Sequence, residues 1–149
     1  MLPLKAGAVW TAEQTADYLA RSEIPMRLAC NSSRNYPLIC SLWYIFDGEA
    51  FWCASHKNSK IIQCLDDNPK CAFEIAADTP PYSGVRGQGD ATITKNGAEE
   101  MLNQLLLRYL DDNQSSLAKW LMSRVADEYV IKIKPRWINV WDYTDRMES

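Results

Sequence analysis

The run Pro37-Leu-Ile-Cys-Ser-Leu-Trp-Tyr-Ile-Phe46, followed by Asp47-Gly48, carries the strongest fold signal in the chain. It reads as one long strand over 37–46. Its two alternating sets, Leu38/Cys40/Leu42/Tyr44/Phe46 and Ile39/Ser41/Trp43/Ile45, are both apolar, the pattern of a strand covered on both sides. Such a strand belongs in a barrel wall packed against helices, or at a subunit interface. Asp-Gly tolerates the positive φ of a tight hairpin, so residues 50–55 are expected to return antiparallel.

Working outward, Thr11-Ala-Glu-Gln14 forms a capping box, and Ala16, Leu19 and Ala20 continue it as a helix over 12–22 that stops before Pro25. A strand at 26–32 and a turn at Ser33-Arg-Asn35 lead into the central run. Residues 58–67 read as a short helix with Asn58 as N-cap, Ile61, Ile62 and Leu65 as its buried stripe, and Pro69 beyond its end. Strands follow at 70–77 and 85–94, with a loop at Thr79-Pro-Pro-Tyr82 between them. Asn96-Gly-Ala-Glu99 opens a helix carrying Met101, Leu102, Leu105, Leu106 and Tyr109. Another carries Leu117, Trp120, Leu121 and Val125. Strands at 128–134 and 137–143, separated by Pro135, close the chain. Antiparallel strands with short connections and helices at the edge predict a mainly β protein, a small barrel forming one domain over 1–149.

Composition narrows the function classes. The chain has 149 residues, 16 basic against 19 acidic, and a net charge of −3, which argues against a general nucleic-acid surface. Six Trp, seven Tyr and three Phe supply far more burial than a disordered segment carries. The longest unbroken apolar run, Leu42 to Phe46, is far short of a membrane span, so no membrane partner is expected. Cysteines at 30, 40, 53, 64 and 71 form neither an even disulfide framework nor a metal clip. They read as small buried hydrophobes in a cytoplasmic protein.

Few stretches carry chemistry. Gly84-Val-Arg-Gly87-Gln-Gly89 enters a strand instead of a helix, so its glycines read as places of close backbone or ligand approach, not as a dinucleotide loop. Cys53 and His56 stand an odd number of residues apart on a strand, which turns them to opposite faces. His56-Lys57-Asn58-Ser59-Lys60 joins a strand end to a helix start, where free amides and the helix dipole favour an anion; the alternative is a solvated basic turn. Arg27 stands in the apolar context Ile24-Pro-Met-Arg-Leu-Ala-Cys30. A guanidinium entering a barrel wall there needs an anion, either a phosphate shared with Lys60 or a carboxylate such as Asp66 or Glu74.

Taken in order, Arg27-Leu-Ala-Cys30, Pro37 to Tyr44, Asp47-Gly48, Phe51-Trp-Cys-Ala-Ser55, Asn58-Ser-Lys60, Asn68-Pro69 and residues 84–91 resemble the FMN-binding split-barrel superfamily that includes pyridoxamine 5′-phosphate oxidase. The closing Ile133-Lys-Pro-Arg-Trp-Ile-Asn-Val-Trp-Asp142 is similar to its last strands. The resemblance implies a split barrel that binds FMN through Arg27, Leu28, Ala29 and Cys30, extending to Ser32, and through Cys53 and Ala54. The superfamily's phosphate-binding Arg-Lys pair falls on Ser59 and Lys60. The Arg is a Ser here, so either Lys57 takes over its charge or phosphate affinity falls. Trp141 matches the superfamily's aromatic near the flavin. The resemblance also implies a homodimer with flavin in the subunit cleft, and an FMN-dependent oxidoreductase acting with a small-molecule substrate or electron donor. No catalytic residue is assigned. The superfamily's C-terminal Arg-x-His element for substrate phosphate has no counterpart in Trp141-Asp-Tyr-Thr-Asp-Arg146. Two alternatives stay open: a non-catalytic module holding flavin, or haem through His56, and a deazaflavin-dependent reductase.

Overall fold

Thr11 opens the first helix as its sequence dictates. Its hydroxyl accepts the Gln14 amide at 3.1 Å, and its own amide donates to Gln14 Oε1 at 2.9 Å. The structure, a computed structural model, describes residues 2–111 and 114–147. In chain order its elements are α1 (Ala12–Arg21), β1 (Met26–Asn31), β2 (Pro37–Leu42), β3 (Ile45–Phe46), β4 (Phe51–His56) and α2 (Lys60–Asp67). After these come β5 (Lys70–Ala76), β6 (Ser83–Thr94), α3 (Ala98–Leu110), α4 (Ser116–Ser123), a 3-10 turn (Val125–Asp127), β7 (Glu128–Asp142) and a short α5 (Thr144–Met147).

The strands form one seven-stranded sheet in the order β2-β1-β5-β6-β7-β4-β3, with every neighbouring pair antiparallel. Its two edge strands, β2 and β3, are separated in sequence by Trp43 and Tyr44 alone. The chain from Leu42 to Ile45 spans at most about 11 Å, so the sheet must curl until its edges nearly meet. That makes a barrel split along one seam. Phe51 sits inside it, with the rings of Phe46, Phe73 and Tyr44 at 4.8, 4.7 and 5.6 Å.

The run 37–46 is therefore two strands and not one. At the break, α3 replaces the missing ladder partner: the Tyr44 amide donates to the Tyr109 hydroxyl at 3.1 Å, and that hydroxyl donates to the Tyr44 carbonyl at 3.1 Å. Trp43 stacks on Tyr109 at 5.2 Å and 5°, while the buried Tyr44 hydroxyl donates to the Leu19 carbonyl at 2.8 Å. Nor is β2 covered on both faces within one chain, since Ile39 is 66% exposed. Among the described residues, no layer lies over the outer side of this edge strand. Tyr109→Phe is expected to cost about 1–3 kcal/mol, because it strands both polar groups of Tyr44; urea denaturation followed by tryptophan fluorescence measures it.

Two other boundaries differ from the sequence reading. Residues 128–142 form one strand through Pro135, because a bulge absorbs the proline. Gln88 pairs with Trp137 and Gly89 with Pro135, leaving Arg136 as the extra residue. Helix α2 is capped by Ser59, whose hydroxyl accepts the Ile62 amide at 3.4 Å. The Asn58 amide instead donates to His56 Nδ1 at 3.1 Å. Leu102, Leu106 and Ala118 form a second apolar cluster with Trp43 and Leu121, which clamps the α3–α4 pair beside the seam. No described helix is long and apolar enough to cross a membrane.

Candidate functional site

The seam opens into a cleft of about 510 Å³, within the range of small-molecule sites. Ser41 and Leu42 from the end of β2, with Trp43, form one wall. Across from them stand Ala54, Ser55 and His56 of β4, and Ser59. Leu102 and Leu105 of α3, with Leu117 and Leu121 of α4, close the apolar side. Arg124 and Glu128 add charge at the polar end.

The polar end is organised by short-range chemistry. Ser55 and Ser59 hydroxyls bond at 2.9 Å, and Ser59 caps α2, whose first amides have no carbonyl one turn behind them. His56 Nδ1 accepts a backbone amide, which leaves Nε2 facing Asp127 at 3.9 Å. Lys57 pairs with the same Asp127 at 2.9 Å. That contact raises the lysine pKa and lowers that of the carboxylate, though both groups lie in solvent and such pairs contribute little stability.

Glu128 is the one charged residue among the buried ones described. Burial pushes its carboxyl pKa up, against the opposing pull of Arg124 and His56. Relative to the unfolded chain, folding thus shifts Glu128 toward its protonated form. Stability from this group is present below the carboxyl's unfolded value of about 4.3 and is lost as pH rises through the raised folded value. Glu128→Gln should therefore melt a few degrees above the parent at pH 8, with the gap closing toward pH 4. Thermal melts at the two pH values measure it.

The residues expected at a ligand fall into separate places. Ala54 and Ser59 line the cleft; Lys60 is the exposed first residue of α2. Cys53 is fully buried in the core beside that wall, and burial raises its thiol pKa. Leu28 and Cys30 point into the core, while Arg27 lies on the outer face. The expectation that Arg27 enters the wall is corrected by strand alternation: its guanidinium reaches the Pro25 carbonyl at 3.3 Å. It lines an outer pocket with Ala29, Ile39, Glu74, Arg86 and Trp137. Cys30 lines another, with Asn31, Lys70 and Cys71. Ser32 bonds the Tyr36 carbonyl in the β1–β2 turn. Trp141 lies opposite Gly84 and 5.2 Å from Tyr143, and its buried indole N–H has no partner among the described residues.

Sequence reasoning missed Ser41, Trp43, Arg124 and Glu128 as cleft residues. Trp43 was hidden inside an apparently continuous strand, and no local pattern ties position 124 to position 59. All five cysteines are free. No group of three or more His, Cys, Asp or Glu among the described residues stands ready to hold a metal.

Comparison with known proteins fits this architecture. The sequence profile described as pyridoxamine 5′-phosphate oxidase matches residues 12–142. No curated protein matches the chain. Among solved structures, a conserved hypothetical protein from Mycobacterium tuberculosis superposes with a TM-score of 0.78 at 22% identity, covering 94% of this chain and 89% of that one. An F420 reductase gives 0.70 at 18% identity, covering 83% and 94%. The heme storage protein of Vibrio cholerae gives 0.66 at 10% identity, covering 89% and 95%. At these identities the likeness is one of fold.

Proposed function

The chain belongs to the pyridoxamine 5′-phosphate oxidase family, and from that premise we propose that it is an FMN-binding protein working as a flavin-dependent oxidoreductase on a small molecule. One observation carries the reading: the seam cleft joins an apolar slot to a polar end at a helix N-terminus. That is the donor set a flavin with a phosphate tail calls for. Ser59 and Lys60 would hold the phosphate, and Leu42, Trp43 and Ala54 would line the ring. When bound, the flavin supplies hydride or electron exchange, while the protein places it and excludes water.

His56 offers little support for a haem reading, since Nδ1 is already engaged and Nε2 faces Asp127. The homodimer belongs to the same proposal. Tyr36 and Ile39 are 79% and 66% exposed, and a second copy would cover this apolar edge. Sedimentation showing only monomer would remove that part. The enzyme reading is tested by loading the purified protein with FMN, desalting it and adding NADH or NADPH anaerobically. Retained flavin absorbance that bleaches with either donor supports an oxidoreductase; retained flavin inert to both makes the protein a binding module.

A further inference from the structure

We propose that Arg124, which follows α4 at the polar end of the cleft, is the guanidinium that binds the phosphoryl group of the ligand. This rests on the flavin reading above and adds to it a residue far from the motif at 56–60.

Two other cations near this point have partners or face elsewhere. Lys57 is paired with Asp127 at 2.9 Å, and Arg27 faces an outer pocket with Glu74. Arg124 lines the same cleft as Ser55, His56 and Ser59. Its guanidinium lies over the Trp120 ring at 4.6 Å, a contact that orients the group without neutralising it. No carboxylate among the described residues stands within ion-pair distance of it. A guanidinium presents a planar fork suited to two phosphoryl oxygens.

Glu128 stands at the same end of the cleft as Arg124. It is 6% exposed as a residue and lines the cleft. Burial and Asp127 raise its carboxyl pKa, against Arg124 and His56; Lys95, with Glu99 and Glu100 of α3, lines the adjoining cleft.

The test compares FMN, riboflavin and inorganic phosphate on the intact protein by calorimetry, with Arg124→Gln, Arg124→Lys and, as a charge control on α1, Arg21→Gln. Melting curves confirm that each variant folds. The parent should prefer FMN to riboflavin. Arg124→Gln should lose about tenfold or more in FMN affinity and leave riboflavin within about twofold, with Arg124→Lys intermediate and Arg21→Gln unchanged. Equal FMN preference in the parent and Arg124→Gln overturns the assignment. So does a parent that binds FMN and riboflavin alike, and that result leaves the flavin reading intact. Arg124-dependent binding of phosphate without FMN binding would keep the oxyanion site and remove the flavin. No binding of any of the three overturns both.

Discussion

Gly87→Ala is expected to lose about 3–5 kcal/mol, enough to abolish most of a typical domain's stability. A Cβ at this position would stand 2.3 Å from the Trp137 carbonyl oxygen and 2.7 Å from Phe73 Cζ. Neither neighbour can yield. Gly87 lies in β6 between β5 and β7, paired with Phe73 on one side and Ile138 on the other. Moving the carbonyl would break the longest ladder of the sheet, and moving Phe73 would disturb the ring cluster around Phe51. Far-UV circular dichroism with urea titration should show a large loss of midpoint, or an insoluble product. An unfolding free energy within about 0.5 kcal/mol of the parent would mean that β6 is not packed between these two strands.

Arg108→Met comes next, with about 2–4 kcal/mol lost. The Arg108 guanidinium, on α3, donates to the carbonyls of Ala20, Leu19 and Ser22 at 2.6, 3.0 and 2.6 Å. These are the orphan acceptors where α1 ends, so one cation caps a helix C-terminus from another helix. It also lies over the rings of Tyr44 and Tyr109 at 5.0 and 5.3 Å. Methionine keeps much of the stem packing and removes the charge-assisted bonds, each of which contributes about 1.5–3 kcal/mol. The total is held down because Ala20 is exposed and water can take over part of the loss. Thermal unfolding should drop by several degrees or more.

Much of the fold is legible because it rests on local chemistry. The Thr11–Gln14 box and the Asp47-Gly48 hairpin, where Gly48 takes φ 100°, are dictated by neighbours in sequence. What local chemistry cannot reveal is set by partners far along the chain. The strand break at Trp43–Tyr44 depends on a hydroxyl 65 residues away. The passage of β7 through Pro135 depends on the bulge opposite Gly89.

The candidate site is legible only in part. Ser59 marks itself by the strand-to-helix turn, but Arg124 and Glu128 reach the cleft through the packing of α3 and α4 on the seam. Arg27 teaches the opposite lesson. Met26, Leu28 and Cys30 alternate with it, so period two alone turns it away from the core, and the structure follows the alternation.

The most direct test of the account is a fluorescence titration of FMN into the parent protein and into Ser41→Trp, a substitution at an exposed position that fills the cleft mouth. The expected result is saturable binding to the parent and a loss of about tenfold or more in affinity in a variant that melts like the parent. Equal binding by both proteins, or no binding by the parent, would contradict the claim that the seam cleft is a flavin site.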